Sequence, residues 1–461
     1  VSDEVEVRTL DEAIEVLSAR PLIVAAQRSV DVSSFARLGL VAGALLCEGG
    51  DAVEYAAQAL GYEVCSLEPM EPRRLWSSRD IGRLAEIPCR WPSGDFVPQG
   101  SSSDEATFCR LAGHDHDLLS APGAASSRFD DKHRMRRLLN SAGVPVPDFE
   151  ITCRSDVDFE GLRRRLGSPL VFQRCISSSG IGTYLVRHDE GAPPGDDSEP
   201  WLISRWAGVR SLNFHGLASR WGPVMSAPSV QLIQEIGRRL VFSGNDFAAV
   251  RHIDRRAIEQ GRQAVAAVGQ VLTDGGYQGL YGVDLVVDDE GDVRVVDVNP
   301  RFQGSTWLLT ELELEAGYVP MVFRHLLEFA GYACPTPVAP SVSGAQVVVH
   351  WRGKEAVDVH HDVSFGSRSW TNEDLAPGRP AVGIGDCAAS EYLLTSLPPR
   401  RTTVHPGAVL GRIATRGPMT SAAGVKLDER AARIVQAVEA GVVPSDLRKE
   451  VSHEHLFSLE V

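Results

Sequence analysis

Lysine is nearly missing from this chain. Only Lys132, Lys354, Lys426 and Lys449 occur among 461 residues, and arginine supplies the rest of the positive charge. Such a composition points to a GC-rich genome and makes each retained lysine worth inspecting, although most lysines anywhere are solvated surface charges. A basic excess is lacking as well. The formal charge of −15 excludes a general affinity for nucleic acid or anionic membrane, since both require a basic surface. No apolar run approaches the length needed to cross a bilayer. The acidic start Val1-Ser2-Asp3-Glu4 puts no basic segment before an apolar stretch, so neither a secretory signal nor a transit peptide is expected, and a cytoplasmic location is. Paired cysteines are lacking too. Cys47, Cys65, Cys89, Cys109, Cys153, Cys175, Cys334 and Cys387 stand singly, with no Cys-x-x-Cys and no histidine at zinc-finger spacing. Reduced thiols are therefore expected, and His114, His116, His360 and His361, which lack a third ligand at helical spacing, read as loop residues.

What is present is an ordinary globular balance, 43% apolar and 23% charged, in a chain long enough for about three domains. Short apolar runs at 22–26, 44–47 and 63–67 alternate with helical patterns, one of them at 51–60 with Asp51 as a plausible N-cap. This is the signature of an open parallel sheet. Gly49-Gly50 is not a dinucleotide fingerprint. A helix at 130–142 ends at Gly143 before Val144-Pro145-Val146-Pro147, the expected stop signals. Strands at 169–173 and 183–186 flank a Ser/Gly-rich turn. Then come a strand-like stretch at 201–217, an amphipathic helix at 254–273, a hairpin at 281–298 and a helix at 319–330. Beyond the Pro-rich 335–340 the chain is β-rich until a last helix at 428–440. No internal repeat is visible.

The hairpin carries the chemistry. If 289–292 form its turn, Asp288 pairs with Val293 and Asp284 lies opposite Asp297. Side-chain alternation then points Val293, Val295, Asp297, Asn299 and Arg301 to one face. Two opposed carboxylates between valines are unfavourable unless a cation sits between them or one is protonated. With the amide oxygen of Asn299 they form a hard-oxygen set suited to magnesium. The alternative is an exposed sheet face in which both acids are simply solvated. Arg301 is placed to hold an anionic group, or else pairs with a nearby carboxylate. The turn acids Asp288, Asp289, Glu290 and Asp292 need no function beyond solvation.

These residues resemble a known family. Asp297-Val-Asn299-Pro-Arg301-Phe-Gln303 is similar to the metal-binding strand of the ATP-grasp enzymes. Asp131-Lys132 ahead of Gly143-Val-Pro-Val-Pro resembles the family's first lysine segment, and 169–173 followed by Ser177-Ser178-Ser179-Gly180-Ile-Gly182 resembles its flexible phosphate loop. The stretch 202–211, with Gly208, sits where the family places its adenine strap. The resemblance implies a mixed α/β (α+β) ATP-grasp fold. Its parts would be a pre-ATP-grasp α/β domain at 1–125, a small subdomain with the phosphate loop at 126–200 and a large subdomain with the metal hairpin at 201–335. A β-rich region would follow at 336–461. It also implies an ATP site of Lys132, Gln173, Ser177, Ser178, Ser179, Gly180, Gly182, Ser204 and Trp206. Magnesium, as two ions, would lie on Asp284, Asp297 and Asn299, with Arg301 as the catalytic residue. Two departures stand out. Gln173 replaces the usual second lysine, with Arg174 beside it, and the strap has Ile203-Ser204 for its acidic pair and Arg210 where a glutamate often meets the ribose.

The family makes acyl phosphates that an amine then attacks. With no biotin or carbamoyl-phosphate module in the chain, a stand-alone amide ligase is expected, similar to actinobacterial peptide ligases that use nonproteinogenic amino acids. Its partners would be small amino-acid or peptide substrates and a second copy of the chain, with no nucleic acid and no membrane. Arg251, Gln303 and Ser305 are the substrate candidates, with Ser243, Asn245, Asp246, His252 and Trp307 near the same cleft. A loop or core role is the competing reading for each. A non-catalytic ATP sensor, suggested by Gln173, and a carboxylase-type subunit are the rival functions.

Overall fold

The apolar runs near the N-terminus form a parallel sheet. In the computed structural model, which describes residues 5–66, 90–99, 116–120, 128–177, 182–208, 210–359, 363–370, 378–421 and 426–443, β1 (Leu22–Ala26), β2 (Val41–Leu46), β3 (Glu63–Ser66), β4 (Gly94–Pro98) and β5 (His116–Leu118) pair in the order β3-β2-β1-β4-β5. Every neighbouring pair is parallel. β1 is buried along its whole length, which is why it reads as an unbroken apolar run and not as an alternation. α1 (Leu10–Ser18), α2 (Val30–Arg37) and α3 (Asp51–Leu60) accompany this sheet. Asp51 is not the cap of α3. Gly50 holds that position with φ 90°, a conformation open to glycine, and Asp51 becomes the first helical residue, its charge at the positive end of the helix dipole.

A second sheet of fourteen strands holds most of the remaining chain. One wing consists of β6 (Phe149–Cys153), β7 (Leu170–Arg174), β8 (Thr183–Val186) and β9 (Pro200–Arg205). The stretch expected as one strand at 201–217 divides, because Trp206 to Gly208 leave the wing and β10 (Arg210–Ala218) joins the main body. There β10, β11 (Val224–Met225), β12 (Ser229–Ile236), β13 (Arg239–Asp246), β14 (Gly279–Val287) and β15 (Val293–Asn299) pair antiparallel. The C-terminal strands extend this same sheet. β16 (Ala345–His350) pairs with β13, and the path continues beyond β17 (Val357–Asp358), β18 (Gly366–Ser369), β19 (Glu391–Thr395) and β20 (Thr403–Val404) to β21 (Val409–Thr415). The strand order is β15-β14-β10-β12-β13-β16-β21-β19-β18, while β17 and β20 form their own pair.

Helices α4 (Lys132–Ser141), α5 (Phe159–Leu166), α6 (Arg255–Asp274), α7 (Thr306–Glu315), α8 (Met321–Phe329) and α9 (Glu429–Val442) cover the sheets. Asp131, Asp254 and Asp428 accept backbone N–H bonds as the N-caps of α4, α6 and α9. The stripe Ala257, Gly261, Ala264, Val268 and Leu272 of α6 repeats at helical spacing and packs on the sheet face of Phe214, Val283 and Val295. Each fully buried valine or leucine in such a layer contributes roughly 1.5–3 kcal/mol. Two buried carboxylates fasten the regions. Glu311 of α7 accepts from Ser33 Oγ at 2.7 Å and from the Ile384 amide at 2.6 Å. Asp246 accepts from the amides of Met419 and Thr420 and from the Thr420 hydroxyl. Burial raises the pKa of both groups, and the donors around each partly offset it.

Candidate active site

Between the wing and the main sheet lies a cavity of about 280 Å³, with the β14–β15 hairpin as part of its wall. Asp284 does face Asp297, but by a different route from simple counting. Val287, not Asp288, pairs with Val293, so the turn is one residue longer than expected. A bulge between Leu285 and Asp284 on one side and Val295 and Asp297 on the other absorbs the difference. The bulge also corrects the faces. Val293, Val295 and Val298 enter the core against α6, while Val296, Asp297, Asn299 and Arg301 line the cavity.

The electrostatics of the hairpin follow from burial. Asp284 accepts from Asn213 Nδ2 at 2.7 Å and from Gln231 Nε2 at 2.9 Å, both on its Oδ1. Burial, and then the charge of Asp297, raise its pKa to about 6. A cation does meet the pair, and it is the Lys132 ammonium, in ion contact with Asp297 Oδ2. Asn299 Oδ1 accepts from Arg301 Nη1 at 2.9 Å and, being an amide oxygen, retains a second lone pair. The set fits magnesium: two carboxylates and one amide oxygen, all hard donors, on one cavity wall. Gln303 Oε1 supports it by accepting from Asn213 Nδ2 at 2.7 Å. That side chain crosses Gly282 so closely that a Cβ there lies 1.8 Å from Gln303 Nε2. Gly282→Ala is therefore expected to push Gln303 away from Asn213, at about 1–3 kcal/mol of stability. It should also raise the magnesium concentration needed for half-maximal response about tenfold. Calorimetric unfolding with a magnesium titration checks both, and an unchanged midpoint and response would remove Gln303 from the support of Asp284.

The nucleotide candidates gather around the same cavity. Lys132, Gln173, Ser177, Ser204 and Trp206 all line it. Asp131 caps α4, and the Lys132 amide donates to the Cys175 carbonyl at 3.0 Å, so the phosphate-loop segment and the lysine are fixed to each other. Gly182 lies at the start of β8 with φ 92° and its carbonyl accepts from the Arg174 amide. Ser178, Ser179 and Gly180 lie outside the described residues. Arg174 does not replace the missing lysine. It points away, over the Trp201 ring and toward Glu199. Behind Gln173 sits Arg136, whose Nη2 donates to the Val296 carbonyl at 2.7 Å and reaches Gln173 Oε1 at 3.4 Å. Burial lowers its pKa to about 10. Arg210 is exposed and outside the cavity. Val171, Val286 and Val296 supply an apolar stretch of wall near Ser204.

The substrate candidates divide. Gln303 and Ser305 line the cavity beside Arg301. Arg251 does not, since it lies on an exposed 3-10 turn with its Nε on His252 Nε2 at 3.0 Å. Ser243, Asn245 and Asp246 are buried structural groups of β13, and Trp307 is core, its indole N–H on Gln346 Oε1 at 2.9 Å. One cluster escaped a reading based on motif spacing: Asp131, His133 and Cys175, whose ligand atoms lie within 4.8 Å of one another. There burial and the Asp131 carboxylate push the Cys175 pKa up to about 11, so the thiol is a hydrogen-bond donor and not a thiolate ligand. No disulfide joins any two of the six described cysteines. Asn213, Gln231, Arg28 and Arg412 also line or support the site without having been foreseen. Strand pairing would have indicated the first two, because Asn213 is registered with Asp284, and Ser211 with Gln231. No local pattern marks the arginines.

Residues 129–305 match the ATP-grasp domain family. A D-alanine–D-alanine ligase of Synechococcus sp. is 25% identical over 271 residues, which are 54% of this chain and 77% of that protein. The solved biotin carboxylase of Campylobacter jejuni, a β-γ-ATP complex, is similar with a TM-score of 0.62 and 11% identity over 92% of this chain and 91% of that one. An L-amino acid ligase from Bacillus licheniformis gives a TM-score of 0.59 and 12% identity over 92% of this chain and 98% of that one. At these identities the structural likeness shows the fold alone. The ATP-grasp fold expected from the hairpin and its companions is the fold observed. No helix among the described residues is long and apolar enough to cross a membrane.

Proposed function

We propose that this chain, whose residues 129–305 form an ATP-grasp domain, is an ADP-forming ligase that joins a carboxylate to an amine. The observation that carries the reading is the set Asp284, Asp297 and Asn299 meeting Lys132 on one cavity wall. The D-alanine–D-alanine ligase that is similar in sequence supports the reaction class. Adenine packs on Val171, Val286 and Val296, with Ser204 and the backbone of the strap at its edge. Lys132 and the loop from Ser177 to Gly182 hold the phosphates, and Gln173 donates its amide N–H where a second charge is lacking. Magnesium on Asp284, Asp297 and Asn299, proposed as two ions, neutralises charge on the phosphate oxygens when bound. Arg301 holds the carboxylate in line with the γ-phosphoryl group. One carboxylate oxygen bonds to phosphorus as ADP leaves. The amine nitrogen then bonds to the acyl carbon, phosphate leaves, and the nitrogen loses a proton.

The finer reading is a peptide ligase joining a nonproteinogenic amino acid to an amino acid or peptide in secondary metabolism, similar to the ligase of pheganomycin biosynthesis. Its support is the lysine-poor composition and the altered strap. Gln173 favours one rival, an ATP sensor without turnover. Incubation with magnesium, ATP and a mixture of amino acids and peptides separates them. Amine-dependent release of ADP with a new amide in the mass spectrum is expected. Nucleotide binding without turnover under every mixture would leave the sensor.

A further inference from the structure

Beyond the metal hairpin the same cavity has a second charged end. Arg28, which follows β1, is buried and in ion contact with Asp31, its Nε donating to that carboxylate at 2.9 Å. Its Nη2 also reaches the Gly304 carbonyl at 3.4 Å, while its Nη1 is buried with no partner among the described residues. Arg412 projects from β21 into the same cavity. It has no side-chain hydrogen bond and no ion pair among the described residues, and its Nη1 too is buried without a partner. Burial and then the repulsion of Arg28 lower its pKa to about 9. The two attractive charges, Asp31 and Glu48, weigh less than Arg28, and both are otherwise engaged, Asp31 by Arg28 and Glu48 by the amide and hydroxyl of Ser29. Two guanidinium groups that line one cavity and repel each other, each with a buried unused N–H donor, favour an anion placed within reach of both.

The position of this end decides which anion. β21 is six strands from β15 along the sheet, and the segment from Gly304 to Trp307 turns back to β16 through Gln346, so Gln303, Gly304 and Ser305 lie between the metal hairpin and the arginines. The reacting carboxylate belongs with Arg301 at the hairpin. We propose that Arg28 and Arg412 seat a second carboxylate that does not react, the free carboxylate of the amine substrate. The acceptor is thereby specified as an amino acid or a peptide with an uncapped C-terminus. This rests on the amide-forming reading and adds to it the chemistry of the acceptor. The guanidinium fork suits the planar carboxylate and discriminates against its neutral carboxamide.

The test supplies the protein with magnesium, ATP and equimolar amino acids and their carboxamides, and weighs the products. Wild type is expected to favour acceptors with a free carboxylate by at least about tenfold. Arg412→Gln should lose that preference through a raised KM for the free acid, with nucleotide binding unchanged. Equal use of acids and carboxamides by wild type, or an undiminished preference in Arg412→Gln, overturns the seat and leaves the ligase reading standing. Failure of every mixture to release ADP overturns the ligase reading instead. In that event the melting temperature judges the seat, with sodium acetate and acetamide as probes. Arg412→Met should melt higher than wild type without ligand and lose the stabilisation by acetate, whereas a lower melting point with the acetate effect intact overturns the seat.

Discussion

Asp284→Asn is expected to lower turnover by about 10²–10³-fold or more while making the metal-free protein more stable. The first effect follows from removing one of two charges that face the proposed metal position. The second follows from the sign of the shift. Burial and Asp297 raise the Asp284 pKa in the folded state to about 6 from 3.8. Below the unfolded value the acid is neutral in both states and nothing is lost. As pH rises through about 6 the folded state must ionise a buried carboxyl, and stability falls. Asparagine avoids that loss and still accepts from Asn213 and Gln231, so the gain at neutral pH should be about 1–3 kcal/mol. Unfolding in chelator from pH 4 to 8 measures it, since wild type should lose stability across this range and the variant should lose less. Magnesium binding runs the other way and weakens as pH falls through about 6, because the ion needs the ionised form. A variant no more stable than wild type at pH 7.5, or one that turns over normally, would contradict the account of Asp284.

Lys132→Met should produce the second largest change, and it should depend on magnesium. The ammonium is 8% exposed and meets Asp297, whose side chain is 18% exposed. Removing it leaves two facing carboxylates without their ion-contact partner in chelator. Discounted for the partial exposure of Asp297, the loss should be about 1–3 kcal/mol. Added magnesium should restore more stability to the variant than it gives wild type, because the ion then takes the place of the lysine. Nucleotide affinity should still fall about 10–100-fold, the worth of one charged hydrogen bond to phosphate. Equal magnesium responses in the two proteins would show that Lys132 does not share the site of the ion.

Much of this was readable from the sequence because the readable parts are local. The strands at 22–26 and 183–186 and the helix at 51–60 stand where periodicity put them, since each element is specified by its own residues. The hairpin was read correctly in its result and incorrectly in its path. The longer turn and the bulge displace the register by one residue in opposite senses, and alternation cannot see a bulge. The wrongly assigned faces of Val293 and Val295 are the trace of that error. Arg251 was misplaced for a similar reason: proximity in sequence to β13 says nothing about which way an exposed turn points. Arg28 and Arg412 could not be read at all. They come from the turn after the first strand of one sheet and a late strand of the other, and only the closed fold brings them into one cavity.

The continuous main sheet has a mechanical consequence. From β15 to β18 each strand is laced to the next, and Glu311 ties α7 to both α2 and the turn at 383–385. The wing of β6 to β9 joins that body through strand pairing at a single position, Tyr184 with Arg239. Flexing there disturbs that pairing, the backbone bond from the Leu185 amide to the Arg238 carbonyl and the Arg187–Glu235 ion pair, whereas sliding any C-terminal strand would break a ladder. Compliance is therefore concentrated on the wing side of the cavity, and the wall bearing Arg412 is stiff. On the proposed reading, a molecule built this way would grip its small substrates in a fixed cradle and breathe around its nucleotide.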